Sequence, residues 1–117
     1  MTTETEGNQR RLHTYKEFWP FYLREHARAG TRNLHFFGST SALIFLGMLV
    51  LTGNVWWLLA AIVSGYLFAW VGHFFVEHNR PATFRYPLWS LVSDWRMFGL
   101  WLAGRLETEM RCHGIDA

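Results

Sequence analysis

The chain has 117 residues, half of them hydrophobic, with seven Trp, ten Phe and a formal charge of +2. That length leaves room for a single domain over 1–117, and the lone cysteine, Cys112, excludes an internal disulfide and any cysteine-built zinc or iron–sulfur cage. The basic residues alternate with Glu and Asp and form no dense run, which argues against nucleic acid as a partner.

Met1 to Gln9 is polar and lacks the basic start, apolar core and cleavage site of a secretory signal, so residues 1–11 are expected to form a disordered tail. Leu12, Tyr15, Trp19, Tyr22 and His26 then recur at helical spacing and mark one face of an amphipathic helix. With Pro20 at a first helical position and Gly30 just past an end, the pattern predicts a helix from Pro20 to Ala29 and a kink or restart near Trp19. Between Arg32 and Glu77 there is no Asp, Glu, Lys or Arg. The turn dipeptide Gly53-Asn54 divides this stretch into apolar runs from Phe36 to Thr52 and from Val55 to Val76. At about 1.5 Å per residue the second spans about 33 Å, enough for a bilayer core of about 30 Å, and the first only about 26 Å. Asn79-Arg80-Pro81 breaks the pattern, and Tyr86-Pro87 opens a last helix striped by Leu88, Leu91, Trp95, Phe98, Leu102 and Leu106, with Ser93 and Asp94 able to cap a restart inside it. The expectation is an all-α, integral membrane bundle of about four helices around a transmembrane hairpin at 36–76. Lipid bilayer or a second copy of the chain, as a homo-oligomer, would cover its outside. Arginines on both flanks predict both termini on the cytoplasmic side.

His35 and His73 lie at nearly equal distances from the turn, so an antiparallel hairpin brings them to one level. Glu77 follows His73 by four residues, on the same face of a regular helix. Nitrogen and oxygen donors of this kind suit iron, zinc or copper, and imidazole with one carboxylate is common for iron(II) that activates oxygen. Three other readings stand beside that one: an interfacial hydrogen-bond network, a haem held axially by His35 and His73 in an electron-transfer protein, and a non-catalytic membrane scaffold. Trp56 and Trp57 mark the far interface, and Trp89, Trp95 and Trp101 are assigned to packing.

Four segments carry a resemblance: Tyr22-Leu23-Arg24-Glu25-His26, Asn33-Leu34-His35-Phe36, Gly72-His73-Phe74-Phe75-Val76-Glu77 and Arg80-Pro81-Ala82. Between about Tyr15 and Met97 the chain resembles the small membrane proteins related to yeast 2-hydroxy fatty acid dioxygenase. The resemblance implies an enzyme that uses Fe(II) and O2 to shorten a 2-hydroxy fatty acid by one carbon. It implies His26, His35 and His73 as metal ligands, with Glu77 at an acidic position that serves as ligand or as partner of His73. Arg80, and Arg24 beside it, are then candidates to pair with the substrate carboxylate, or with lipid phosphate. Asn33 would orient a histidine or cap a helix, and His78, at a position where the family accepts other residues, is expected behind the ligands or at the surface, not as a ligand.

Overall fold

The computed structural model describes residues 11–115, and residues 1–10, which hold nearly all of the expected disordered tail, lie outside them. Five α-helices are present among the described residues: α1 (Tyr15–Arg24), α2 (Ala29–Thr52), α3 (Trp56–Val71), α4 (Pro87–Leu102) and α5 (Leu106–Cys112). A π-helical turn, Gly72–Glu77, continues α3, and a 3-10 turn, Ala82–Phe84, precedes α4.

Local chemistry explains where these helices differ from the expectation. α1 starts at Tyr15 because Thr14 caps it, its Oγ1 accepting the Glu17 N–H at 3.2 Å. The helix then runs through Pro20 without a restart and ends at Arg24, so the predicted span from Pro20 to Ala29 is wrong at both ends. Gly30 stands inside α2, which begins seven residues before Phe36 and is 24 residues long, about 36 Å. The first arm of the hairpin is therefore as long as the second, and Arg32 is the charge carried inside its first turns. The turn at Gly53-Asn54 is where the sequence put it: Gly53 caps α2 and the Asn54 side chain accepts the Trp56 N–H at 3.1 Å.

The last apolar stripe is two helices instead of one. Gly104 adopts φ 71°, a left-handed backbone that side-chain-bearing residues resist. Its N–H bonds the Trp101 carbonyl while the Arg105 N–H bonds that of Leu100, closing α4 in a Schellman turn. No break occurs at Ser93 and Asp94, whose side chains bond Tyr15 and Tyr22 of α1 at 2.9 and 2.5 Å.

The hairpin of α2 with α3 and its π turn supplies two helices long and apolar enough to cross a membrane, with mean hydropathy 1.9 and 1.8. Only 28% and 22% of their apolar windows are buried, and Val50, Leu51 and Phe75 are more than two-thirds exposed. The buried core lies instead at one end. There Phe18, Trp19, Tyr22 and Leu23 of α1 pack with Met97 and Phe98 of α4 and with Leu106 and Met110 around α5. This aromatic cap closes over the open end of the hairpin, where Phe36 of α2 joins it.

Two consequences can be measured. Phe18→Ala, at a position with no exposed surface, should cost about 3–5 kcal/mol of stability, and Val50→Ala, 84% exposed, less than about 0.5 kcal/mol. Thermal unfolding in one detergent compares them, and equal losses would contradict a core confined to the cap. The Trp19 indole N–H donates to Glu109 at 2.8 Å and, with Arg96 and His113 nearby, holds that carboxyl below its usual pKa of 4.5. Because the folded pKa is depressed, this contribution is present above pH 4.5 and disappears as the pH falls through the folded value. Glu109→Gln should flatten stability against pH in that acid range and leave the slope near neutrality unchanged.

Candidate metal centre

His26 hangs from the end of α1, four residues after Tyr22, whose ring stacks on it at 4.1 Å between centroids. The link that follows is pinned from α2 by the buried Arg32, whose guanidinium donates to the His26 and Ala27 carbonyls at 2.9 and 2.7 Å. His35 projects from α2 and His73 from the π turn. Gly72 makes the close approach of these two elements possible, since a Cβ there would lie 3.2 Å from Thr31 Cγ2 and 3.3 Å from its Cα. All three histidines are buried, with ligand atoms within 4.8 Å of one another.

The direction of each ring follows from what holds its far edge. His26 Nδ1 lies 2.7 Å from the Tyr22 carbonyl, an acceptor only, so that nitrogen carries the hydrogen. His73 Nδ1 lies 2.7 Å from Asn79 Oδ1, and the Asn79 amide is oriented by donating to the Glu25 carbonyl and carboxylate at 3.1 and 2.8 Å. His73 therefore also donates through Nδ1. The Nε2 atoms of both rings are left bare and face His35 Nε2, at 3.0 Å from His26 and 3.2 Å from His73. One hydrogen on His35 can satisfy one of these contacts and never both. A cation among the nitrogens satisfies all of them.

The spacing suits such an ion. Two nitrogens bound at right angles about 2.1 Å from a metal stand about 3.0 Å apart, as in a facial triad. Burial lowers the pKa of His26 well below its ordinary value, with the neighbouring His35 and His73 adding to the effect, so its ring is neutral and able to ligate at pH 7. Axial ligation of a haem does not fit, because two imidazoles on opposite faces of one iron need about 4 Å between nitrogens, and His35 and His73 leave 3.2 Å.

The other sequence candidates go elsewhere. Glu77 turns away, its carboxylate accepting the Arg28 N–H at the start of α2 at 2.5 Å. The wider π turn dissolves the regular-helix pairing of Glu77 with His73, and the π turn ends at His78 in a left-handed conformation, exposed as expected. Arg24, Arg80 and Asn33 are exposed, and none of them lines the cavities beside the histidines.

Two polar residues that the sequence marked only as part of a helix break and as a possible cap stand here instead. Asn79 orients His73, and Asp94 of α4 lies with Oδ1 3.7 Å from His35 Nδ1 while accepting the Tyr22 hydroxyl. Burial pushes the Asp94 carboxyl up to about 7, against the lowering effect of that hydroxyl. Its signal was its place along the apolar stripe, three residues after Leu91 and four before Phe98, where a carboxylate is out of character. Asn79 gave no signal beyond a helix-breaking context.

From His35 and Asp94 an apolar cavity of about 210 Å³ runs between α2, α3 and α4, past Ala42, Ala61 and Gly65, to Leu46 and Leu58. A smaller space directly at the histidines is lined by Tyr66, Trp70 and Ser90. The Ser90 hydroxyl is buried there with no hydrogen-bond partner among the described residues.

The family described as 2-hydroxy-palmitic acid dioxygenase Mpo1-like has a sequence model that matches residues 12–106. Neither a curated protein nor a solved structure matches the chain.

Titration of the metal-free protein with Co(II) should show one strong site per chain, and His26→Ala, His35→Ala and His73→Ala should each weaken it severely while Glu77→Gln does not. Binding that survives in all of the histidine variants would dismiss the cluster as a metal site.

Proposed function

Since the chain belongs to the 2-hydroxy-palmitic acid dioxygenase Mpo1-like family, we propose that it is an iron(II)-dependent dioxygenase that shortens 2-hydroxy fatty acids by one carbon at a membrane surface. The observation that carries this reading is the convergence of three ring nitrogens at the head of an apolar groove. His26, His35 and His73 would hold the metal. Iron(II) so bound supplies the electron transfer to dioxygen that no side chain of the cluster provides, with coordination sites left for a 2-hydroxy acid. The electrons lost when the hydroxy acid becomes the shorter acid and carbon dioxide equal those that one dioxygen accepts, with water as the other product. No reductant is required.

The protein's part is to bind, orient and keep water out. Ser90 offers an unpartnered hydroxyl to the head group, and the stacked Tyr22 ring shields His26 from solvent. The acyl chain follows the groove from His35 to Leu46, a rise of about 16 Å along α2. At about 30 Å³ per water-sized group, 210 Å³ takes about seven such groups, so the near part of a long chain is enclosed and the rest lies against the exposed face of the hairpin. Leaving lipid for an apolar groove gains little, because lipid tails are as apolar as the lining. Selection therefore falls on the head group, and the groove serves to align the chain.

In this reading the hairpin lies in the bilayer and the histidines near its edge, a position that its two long apolar helices support. The arginines around that end, including Arg24, Arg28 and Arg80, favour the cytoplasmic side.

Iron(II)-loaded protein in detergent should consume oxygen with 2-hydroxypalmitate and release the acid one carbon shorter, and His73→Ala should abolish both. A folded, iron-replete sample that turns over no 2-hydroxy acid would refute the proposal. At Gly65 an added Cβ meets open space, so Gly65→Leu extends into the groove. It should lower kcat/KM for 2-hydroxypalmitate about tenfold or more, on the scale of about 1–3 kcal/mol for a misfitted methylene, and spare 2-hydroxybutyrate.

A further inference from the structure

His26 and His73 each have a hydrogen-bond acceptor fixed behind the ring, the Tyr22 carbonyl and Asn79 Oδ1. His35 has none that close. What faces its Nδ1 edge is the Asp94 carboxylate, 3.7 Å away, beyond hydrogen-bond length but well within electrostatic reach. The carboxylate is itself held in place, since the Tyr22 hydroxyl donates to the same Oδ1 at 2.5 Å. Tyr22 therefore touches the cluster three ways: its carbonyl behind His26, its ring against His26, and its hydroxyl on the carboxylate facing His35.

We propose that Asp94 is a positioning residue of the metal centre, anchored by Tyr22, which holds the Nδ1–H edge of His35 outward and its bare Nε2 inward. A hydrogen carried on His35 Nε2 instead would serve only one of His26 and His73 and would occupy the space that a metal needs. In its ionised form the Asp94 carboxylate on the Nδ1 side disfavours that tautomer, because an N–H dipole pointing at a carboxylate is lower in energy than a lone pair pointing at it. The same carboxylate raises the basicity of Nε2 toward a bound cation. Asp94 also lines both cavities, so its place is where the groove meets the histidines.

This inference rests on the reading of the three histidines as a metal site, and the experiment separates the two. Full-length protein, labelled with 15N in the histidine rings, is compared as wild type, Asp94→Ala, Asp94→Asn and Tyr22→Phe. Ring-nitrogen NMR of the metal-free forms reports each tautomer, and Co(II) titration reports affinity. In Asp94→Ala, His35 should move toward Nε2–H while His26 and His73 keep Nδ1–H, and Co(II) should bind about 10–100-fold more weakly. Asp94→Asn, which keeps an acceptor oxygen without the charge, should fall between Asp94→Ala and wild type, and Tyr22→Phe should lose less than either. Unchanged His35 tautomer in Asp94→Ala overturns the proposal even if affinity drops, because a general loosening of the cap produces that drop alone. If Asp94→Ala does not fold, wild-type affinity and tautomer in Asp94→Asn overturn it in the same way. Wild-type protein that binds no Co(II) removes the metal reading, while the tautomer comparison still decides whether Asp94 governs His35.

Discussion

Three imidazoles turned inward, with hydrogen-bonding or charged oxygen behind each, are the constraint around which the rest of the molecule is arranged. A neutral imidazole has one hydrogen and one lone pair, and fixing the hydrogen at Nδ1 fixes the lone pair at Nε2. The Tyr22 carbonyl does this for His26 because the end of α1 leaves that carbonyl near a side chain one turn on. Asn79 does it for His73 because the π turn carries the chain far enough round for residue 79 to fold back beneath residue 73. An extra residue in a helical turn is costly without a compensating contact, and such turns gather at functional sites. Here the compensation is visible: the Asn79 N–H bonds the His73 carbonyl at 2.8 Å, and its side chain spans to Glu25.

The aromatic cap follows from that arrangement. Buried polar groups are tolerated when they are paired and dry, and α1 and α4, backed by Leu106 and Met110 of α5, supply a roof of large rings over the open end of an otherwise bare hairpin. The two halves of the molecule are held by different forces. In the cap, Phe18, Met97 and Met110 have no exposed surface and the hydrophobic effect acts in the ordinary way. Along α2 and α3 the apolar side chains face outward, and close contact comes from small residues, as where Gly38 meets the Gly65 carbonyl and Phe68. The groove opens where small residues, Ala42, Ala61 and Gly65, line the seam between the helices.

The sequence by itself determined the helical class, the apolar hairpin with its turn at Gly53, and the meeting of His35 with His73, because each depends on local properties: hydropathy over a window, a turn dipeptide, and equal distances from that turn. The four family segments add His26 to that pair, and the fold brings it there. Helix ends were less legible. Pro20 and Gly30 read as boundaries, yet the Thr14 cap and the packing of Trp19, Tyr22 and Thr31 outweigh them. The partners of the three histidines were decided only by tertiary structure. Glu77 was placed beside His73 by regular-helix arithmetic, and a π turn, which no periodicity announces, sends it to the start of α2 instead. Asp94 reaches His35 from another helix, 59 positions along the chain, and Asn79 reaches Glu25 across 54. A side chain's own helix fixes which face it occupies, but the group opposite that face is set by the packing of whole elements, and no spacing within the chain encodes it.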